Sequence, residues 1–226
     1  MAIEMMDEHE QSEFVRNWLR QNINAIVIGI VVGIGALFGW NQWKSMKVER
    51  ASQAQSQYAA LIAAYDADDA DTVAKLRAEI REKYAATPYA VFAALREAQE
   101  QLEAKDTKAA AAELEWAREH ATLGPLRDLA TLRLAQARLA EGQAQAALDL
   151  ATGVSNAYRA IAAEIRGDAL RALGRASEAG RAYDEALTAL DASSPRRGFV
   201  EMKRDDAIDA GAAVATQPAE KEAKPS

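Results

Sequence analysis

Two histidines, His9 and His120, are the whole imidazole supply of this 226-residue chain, and it has no cysteine. The lack of cysteine removes disulfides, thiolate nucleophiles, iron–sulfur clusters and cysteine-ligated zinc. Two histidines so far apart in sequence offer no histidine-rich metal site. The chain has no G-x-S-x-G elbow, no phosphate-binding P-loop, no H-E-x-x-H and no glycine-rich dinucleotide loop. Its acid pairs, Asp68-Asp69 and Asp205-Asp206, fall in an expected loop and near the C-terminus. General acid–base work needs carboxylates opposed in a buried cleft, and these positions suit caps and solvated surface instead. The residues therefore call for no enzyme, no cofactor and no metal. The side chains left with a task are aromatic and basic: Tyr58, Tyr65, Tyr89, Phe92 and Arg96, a set suited to docking a protein. Each of them serves equally well as core packing or as a solvated charge.

Composition sets the frame for those residues. The formal charge is −7, from 27 Lys and Arg against 34 Asp and Glu, with no dense basic cluster. A nucleic-acid binder needs a basic face to neutralise phosphates, so nucleic acid is not an expected partner. Alanine supplies 53 of the 226 residues. It is the best helix former and lets helices approach closely. Aromatic and β-branched residues are thin outside one stretch, which points to an all-α fold.

That stretch is near the N-terminus. No charge occurs from Gln21 to Trp43. Residues 23–43 (INAIVIGIVVGIGALFGWNQW) make a helix of roughly 31 Å at ~1.5 Å per residue, enough to cross the hydrocarbon core of a bilayer. Trp40 and Trp43 stand at the exit, with Lys44 and Lys47 directly after. Indole rings favour the headgroup boundary. A cleaved signal peptide would begin with a short basic segment and end in small residues. Here the leader carries five acids (Glu4, Asp7, Glu8, Glu10, Glu13) and the exit is bulky, so an uncleaved span is expected. Residues 12–21 (SEFVRNWLRQ) read as a short amphipathic helix at the membrane surface, with Trp18 as a further interface anchor. Gly29 and Gly33 form one small-xxx-small pair, Gly35 and Gly39 another, each able to admit a neighbouring helix. Two cations precede the span (Arg16, Arg20) and three follow (Lys44, Lys47, Arg50). The positive-inside rule leans by one charge toward a cytoplasmic C-terminal domain, too little to fix the topology.

After Lys44 the apolar spacing is helical nearly everywhere. A helix from near Lys47 ends with Leu61, Ile62 and Tyr65. Asp71 is placed to cap the next, and Thr87-Pro88 offers a capping hydroxyl followed by proline at the first helical position. Further breaks fall at Lys105-Asp106, at Gly124-Pro125, at Gly142 and at Gly174. The motif Leu95-Arg-Glu-Ala98-Gln99 returns as Leu132-Arg-Leu-Ala135-Gln136. A period near 34 with two helices per unit is the tetratricopeptide signature. The last unit fits best, with Gly167 at the small-residue position and Ala179, Tyr183 and Ala186 in the second helix. An end cap is expected from residues 198–209 (GFVEMKRDDAID), with Phe199, Met202 and Ile208 turned inward. The segment 210–226 has almost nothing to bury and reads as a disordered tail.

Taken in order, GALFGWNQW, TPYAVFAALREAQEQLE, DTKAAAAELEWAREHA, LRDLATLRLAQARLAEG, IRGDALRALGRASEAGRAYDEAL and EMKRDDAID resemble one family. It is the ancillary SecYEG translocon subunit family, and the resemblance covers roughly residues 5–209. It implies a bacterial inner-membrane protein with a cytoplasmic segment 1–22, a span 23–43 and a periplasmic repeat domain 44–209. It implies as partners the SecYEG translocon, a membrane-anchored periplasmic chaperone of the peptidyl-prolyl isomerase type, and secreted client proteins. The alternative with the same architecture is a tethered repeat scaffold facing the cytoplasm.

Overall fold

The computed structural model describes residues 8–215, and every regular element among them is helical. Nine α-helices follow one another: α1 Glu8–Asp66, α2 Ala70–Tyr84, α3 Pro88–Glu103, α4 Thr107–His120, α5 Gly124–Ala140, α6 Ala144–Thr152, α7 Arg159–Ala172, α8 Ala176–Ala189 and α9 Arg197–Ala215. A single 3-10 turn, Asn156–Tyr158, precedes α7. Two compact units divide at Arg50/Ala51, inside α1.

The expected surface helix, span and following helix are one uninterrupted helix, α1. The reason is local. No proline occurs before Pro88, and nothing else between Glu8 and Asp66 removes a backbone donor. Its apolar side chains, among them Ile28, Val31, Leu37 and Phe38, are uncovered. Among the described residues this is the one helix long and apolar enough to cross a membrane.

The second unit is a row of helical hairpins. Each closes on a residue in the left-handed region: Asp68 (φ 53°), Lys105 (φ 63°), Gly142 (φ 78°) and Gly174 (φ 74°). The amide after each donates back to a carbonyl five residues earlier: Asp69 to Ala64 (3.0 Å), Asp106 to Gln101 (2.8 Å), Gln143 to Arg138 (2.8 Å) and Arg175 to Leu170 (2.9 Å). This is the Schellman closure of a helix C-terminus. It sets the true repeat, 37 residues from Asp68 to Lys105, 37 to Gly142 and 32 to Gly174. The hairpins α3–α4, α5–α6 and α7–α8 pack closely, with α9 on α8, and the end of α1 joins α2 through the shared core of Leu61, Ala64, Val73 and Ile80. Helix α5 touches both α3 and α7, and on the other side α2 reaches α4, where Arg81 pairs with Glu113 at 2.8 Å and lies over the Trp116 ring at 4.4 Å. The first helices of the hairpins thus form one layer and the second helices the other, as in a stack of repeats.

Several local expectations need correction. The cap of α2 is Asp69, which accepts from the Thr72 amide (3.1 Å) and hydroxyl (2.6 Å); Asp71 only adds charge in the first turn. Pro88 starts α3, but the Thr87 hydroxyl donates backwards to the Tyr84 carbonyl (2.7 Å) and does not cap. In α9 the inward stripe is Val200 and Ala207, both fully buried, while Phe199, Met202 and Ile208 are each about half exposed. Lys203 lies on the buried stripe, and its ammonium is held by Glu164 (3.0 Å) and Asp168 (2.8 Å) of α7. The stripe that brings Lys203 to these two carboxylates also buries Val200 and Ala207 against α8, and the helix is rolled that way. Helix α9 also runs to Ala215, past the Ala210 where a disordered tail was expected to begin; residues 216–226 lie outside the described residues.

Candidate functional site

The aromatic candidates meet where the last part of α1 lies against α3. Tyr58, Tyr89 and Phe92 form a three-ring cluster with centroids 6.0, 6.0 and 6.1 Å apart. Offset and edge-on rings at this separation attract one another beyond simple area burial. Two turns along α1, the Arg96 guanidinium lies over the Tyr65 ring at 5.0 Å and also reaches Glu100 at 2.7 Å. Burial raises the Tyr58 and Tyr65 phenols above their ordinary range, against the pull of nearby arginine charge. Tyr58 and Tyr65 also pack against the core formed by Leu61, Val73, Ile80 and Ala90. These side chains therefore seal the first hairpin with one face and show the other to solvent; Phe92 is the most exposed, at 37%.

The layer made by α3, α5 and α7 carries features that no aromatic residue announces. A hollow of about 200 Å³ lies between α3 and α5, lined by Gln99, Leu102, Arg133 and Gln136 among others. A second, of about 370 Å³, is lined by Leu139, Asp168, Arg171, Ala172 and Lys203. Counted from the left-handed turns, Arg96 and Arg133 occupy one repeat position and Gln99 and Gln136 another. The duplicated Leu-Arg-x-Ala-Gln motif held that signal, since equal repeat positions share a face.

The repeat-packing residues lie in the last hairpin. Tyr183 is fully buried, and a Cβ at Gly167 would sit 2.6 Å from its Cδ1. Its hydroxyl donates to Asp168 (2.8 Å). Burial, then the bond to the Asp168 carboxylate, pushes that phenol far above its ordinary value. Ala179 and Ala186 are fully buried beside it. Glu164 is buried as well, accepting from Arg196 (2.6 Å) and Lys203 (3.0 Å). Burial pushes its carboxyl up, but those two cations outweigh it and hold the group below its ordinary value.

On α1 the indoles of Trp40 and Trp43 lie 5.2 Å apart. Lys44 approaches the first ring at 5.9 Å and Lys47 the second at 3.7 Å, within cation–π range. Trp18 is half exposed, and its carbonyl accepts from the Asn22 side chain. Nothing comes within 4 Å of a Cβ placed at Gly29, Gly33, Gly35 or Gly39. Among the described residues no group of three or more His, Asp or Glu is placed to hold a metal ion.

The comparisons agree with this architecture. A family model described as a tetratricopeptide repeat-like domain matches residues 16–209. A Haemophilus influenzae protein named "Ancillary SecYEG translocon subunit" is 29% identical over 187 residues, 82% of this chain and 91% of the relative. An Escherichia coli K12 protein of the same name is 29% identical over 201 residues, 87% and 95% of the two chains. One from Aggregatibacter actinomycetemcomitans is 26% identical over 182 residues, 80% and 89%.

Proposed function

We propose, from the premise that this chain belongs to the tetratricopeptide repeat-like domain family, that it is a non-catalytic docking protein anchored beside the Sec translocon of a bacterial inner membrane. Residues 23–43 cross the bilayer, residues 1–22 lie in the cytoplasm and the repeat domain, residues 44–209, faces the periplasm. Its partners are the SecYEG translocon, a membrane-anchored chaperone of the peptidyl-prolyl isomerase type and secreted chains as they emerge. The observation that carries this reading is the pairing, in this chain, of an uncovered apolar helix with a stack of hairpins, together with its similarity to proteins that bear the translocon's name. Tethering raises local concentration, so contacts of modest affinity suffice. The groove residues Tyr58, Tyr65, Tyr89, Phe92 and Arg96 are proposed contacts at the first hairpin, and Gly29, Gly33, Gly35 and Gly39 are proposed helix contacts within the membrane.

The test is site-specific photo-crosslinking in cells from positions 92, 99 and 136. Capture of translocon subunits, chaperone or secreted chains is expected; adducts only with cytoplasmic proteins overturn the reading. A second reading, a scaffold facing the cytoplasm, has one observation in its favour, the excess of Lys44, Lys47 and Arg50 over Arg16 and Arg20. A phosphatase fused after Ser226 separates the two, being active only when exported.

A further inference from the structure

Four side chains share one stripe of α1 where its apolar stretch ends. Trp40, Trp43, Lys44 and Lys47 stand at positions i, i+3, i+4 and i+7, which a helix places on one face. The two indoles lie side by side, with centroids 5.2 Å apart. Each carries a lysine: the Lys47 ammonium is 3.7 Å from the centre of the Trp43 ring, and that of Lys44 is 5.9 Å from the centre of the Trp40 ring. All four side chains are exposed. Arg50 follows three residues after Lys47, at the edge of the same stripe.

No acid offsets these charges. The sequence holds no Asp or Glu from Phe14 to Val48. The next one, Glu49, is five residues beyond Lys44 and two beyond Lys47, which turns it roughly 140° and 160° away around the helix. Among the described residues, neither lysine lies within ion-pair distance of a carboxylate; the contact each makes is with an indole. A ring face takes up one side of an ammonium and leaves N–H donors for an acceptor. The long stems are already held, so less freedom is lost when that acceptor arrives. Indoles favour the headgroup boundary, and the lysines resting on them are set at the depth of lipid phosphates.

We infer that this stripe binds the headgroup of a net-anionic phospholipid, whose phosphodiester oxygens accept from Lys44 and Lys47. Side chains three apart on a helix start about 5–6 Å from one another, so two lysine stems converge on one phosphate. The selectivity is for net charge. A zwitterionic lipid brings its own cation beside the phosphate, where it meets Lys44, Lys47 and Arg50 with no acid to receive it. An anionic headgroup such as phosphatidylglycerol ends in neutral hydroxyls and avoids that repulsion. This inference rests on the membrane span proposed above and specifies the lipid at its exit.

The test uses the full-length Trp18→Phe variant in vesicles of phosphatidylcholine, so that Trp40 and Trp43 report on the stripe and Trp116 adds the same background to every arm. Part of the lipid is replaced by phosphatidylglycerol, or by phosphatidylcholine, brominated near the headgroup end of the acyl chains. Bromine quenches on contact, so the fraction giving half-quenching reports which lipid neighbours the indoles. At low salt, brominated phosphatidylglycerol is expected to reach half-quenching at about one fifth or less of the fraction that brominated phosphatidylcholine needs, with the gap narrowing at high salt. Lys44→Gln and Lys47→Gln are each expected to remove most of that gap. Lys75→Gln, at an exposed lysine of α2, is expected to leave it, as is inorganic phosphate added at constant ionic strength. Equal half-quenching by the two lipids overturns the inference and leaves the span in place. A gap that shrinks as much in Lys75→Gln as in Lys47→Gln overturns the site, because the effect is then general charge. A gap abolished by inorganic phosphate overturns the lipid assignment in favour of a free anion. Absence of quenching by either lipid overturns the inference together with the span on which it rests.

Discussion

The contact between Gly167 and Tyr183 shows how little freedom one residue has here. Seven residues before the turn, the third, second and fourth hairpins hold Ala135, Ala98 and Gly167; nine residues after it they hold Ala151, Leu114 and Tyr183. The largest partner faces the smallest residue. Gly167→Ala is expected to cost about 1–3 kcal/mol by overpacking. Adding Tyr183→Leu, which recreates the Ala98–Leu114 pair, should cost less than the two single changes together by about 1 kcal/mol; thermal unfolding of the four proteins measures it. Glu164 is the second case, since the matching positions in α3 and α5 hold Leu95 and Leu132. Its carboxyl is held below the ordinary carboxylate value in the folded chain by Arg196 and Lys203. A depressed value gives stability that is present above the unfolded pKa and is lost as pH falls through the folded one. Glu164→Gln is therefore expected to be less stable by about 1–3 kcal/mol near neutrality. The difference from the parent should shrink as pH drops below the ordinary carboxylate range. A difference that is flat with pH would place the effect in packing rather than charge.

At the scale of the element, four equivalent turns use two kinds of residue. Gly142 and Gly174 take the left-handed conformation at no steric cost, whereas Asp68 and Lys105 bear a Cβ there. Lys105→Gly is expected to stabilise the second hairpin by up to about 1 kcal/mol, and Gly174→Ala to destabilise the fourth by about as much. Chemical denaturation checks both, and a gain from Gly174→Ala would contradict the shared geometry. The same substitution of residue types hid the repeat. Glycines announce the last two turns, but the first two read as a polar loop and a charged break, so the exact spacing of 37, 37 and 32 residues emerges only from the backbone. Helix α9 teaches the same lesson. Hydrophobicity singles out Phe199, Met202 and Ile208, yet the buried stripe is the one that carries Lys203 to Glu164 and Asp168. The partners lie 39 and 35 residues upstream, beyond the reach of any local pattern.

For the whole molecule, the division at Arg50 separates a helix that needs lipid from hairpins that bury themselves. The indoles report on each part. With single-tryptophan variants in vesicles of brominated lipid, Trp40 and Trp43 are expected to be quenched most by bromines near the headgroups. Trp116, which in the repeat unit lies between Arg81 at 4.4 Å and His120 at 4.1 Å, should be spared. Strong quenching of Trp116 would mean that the repeats themselves enter the bilayer.

Composition and periodicity alone determined the all-α class, the apolar span and the paired-helix repeat, because each depends on neighbours within a turn or two along the chain. Even the small position at Gly167 was readable, since the pattern around Ala179, Tyr183 and Ala186 is local. Only the tertiary structure decided which stripe of α9 faces inward and where the hollows open. Those are settled by side chains from different hairpins competing for the same partners, and no single stretch of sequence contains the outcome of that competition.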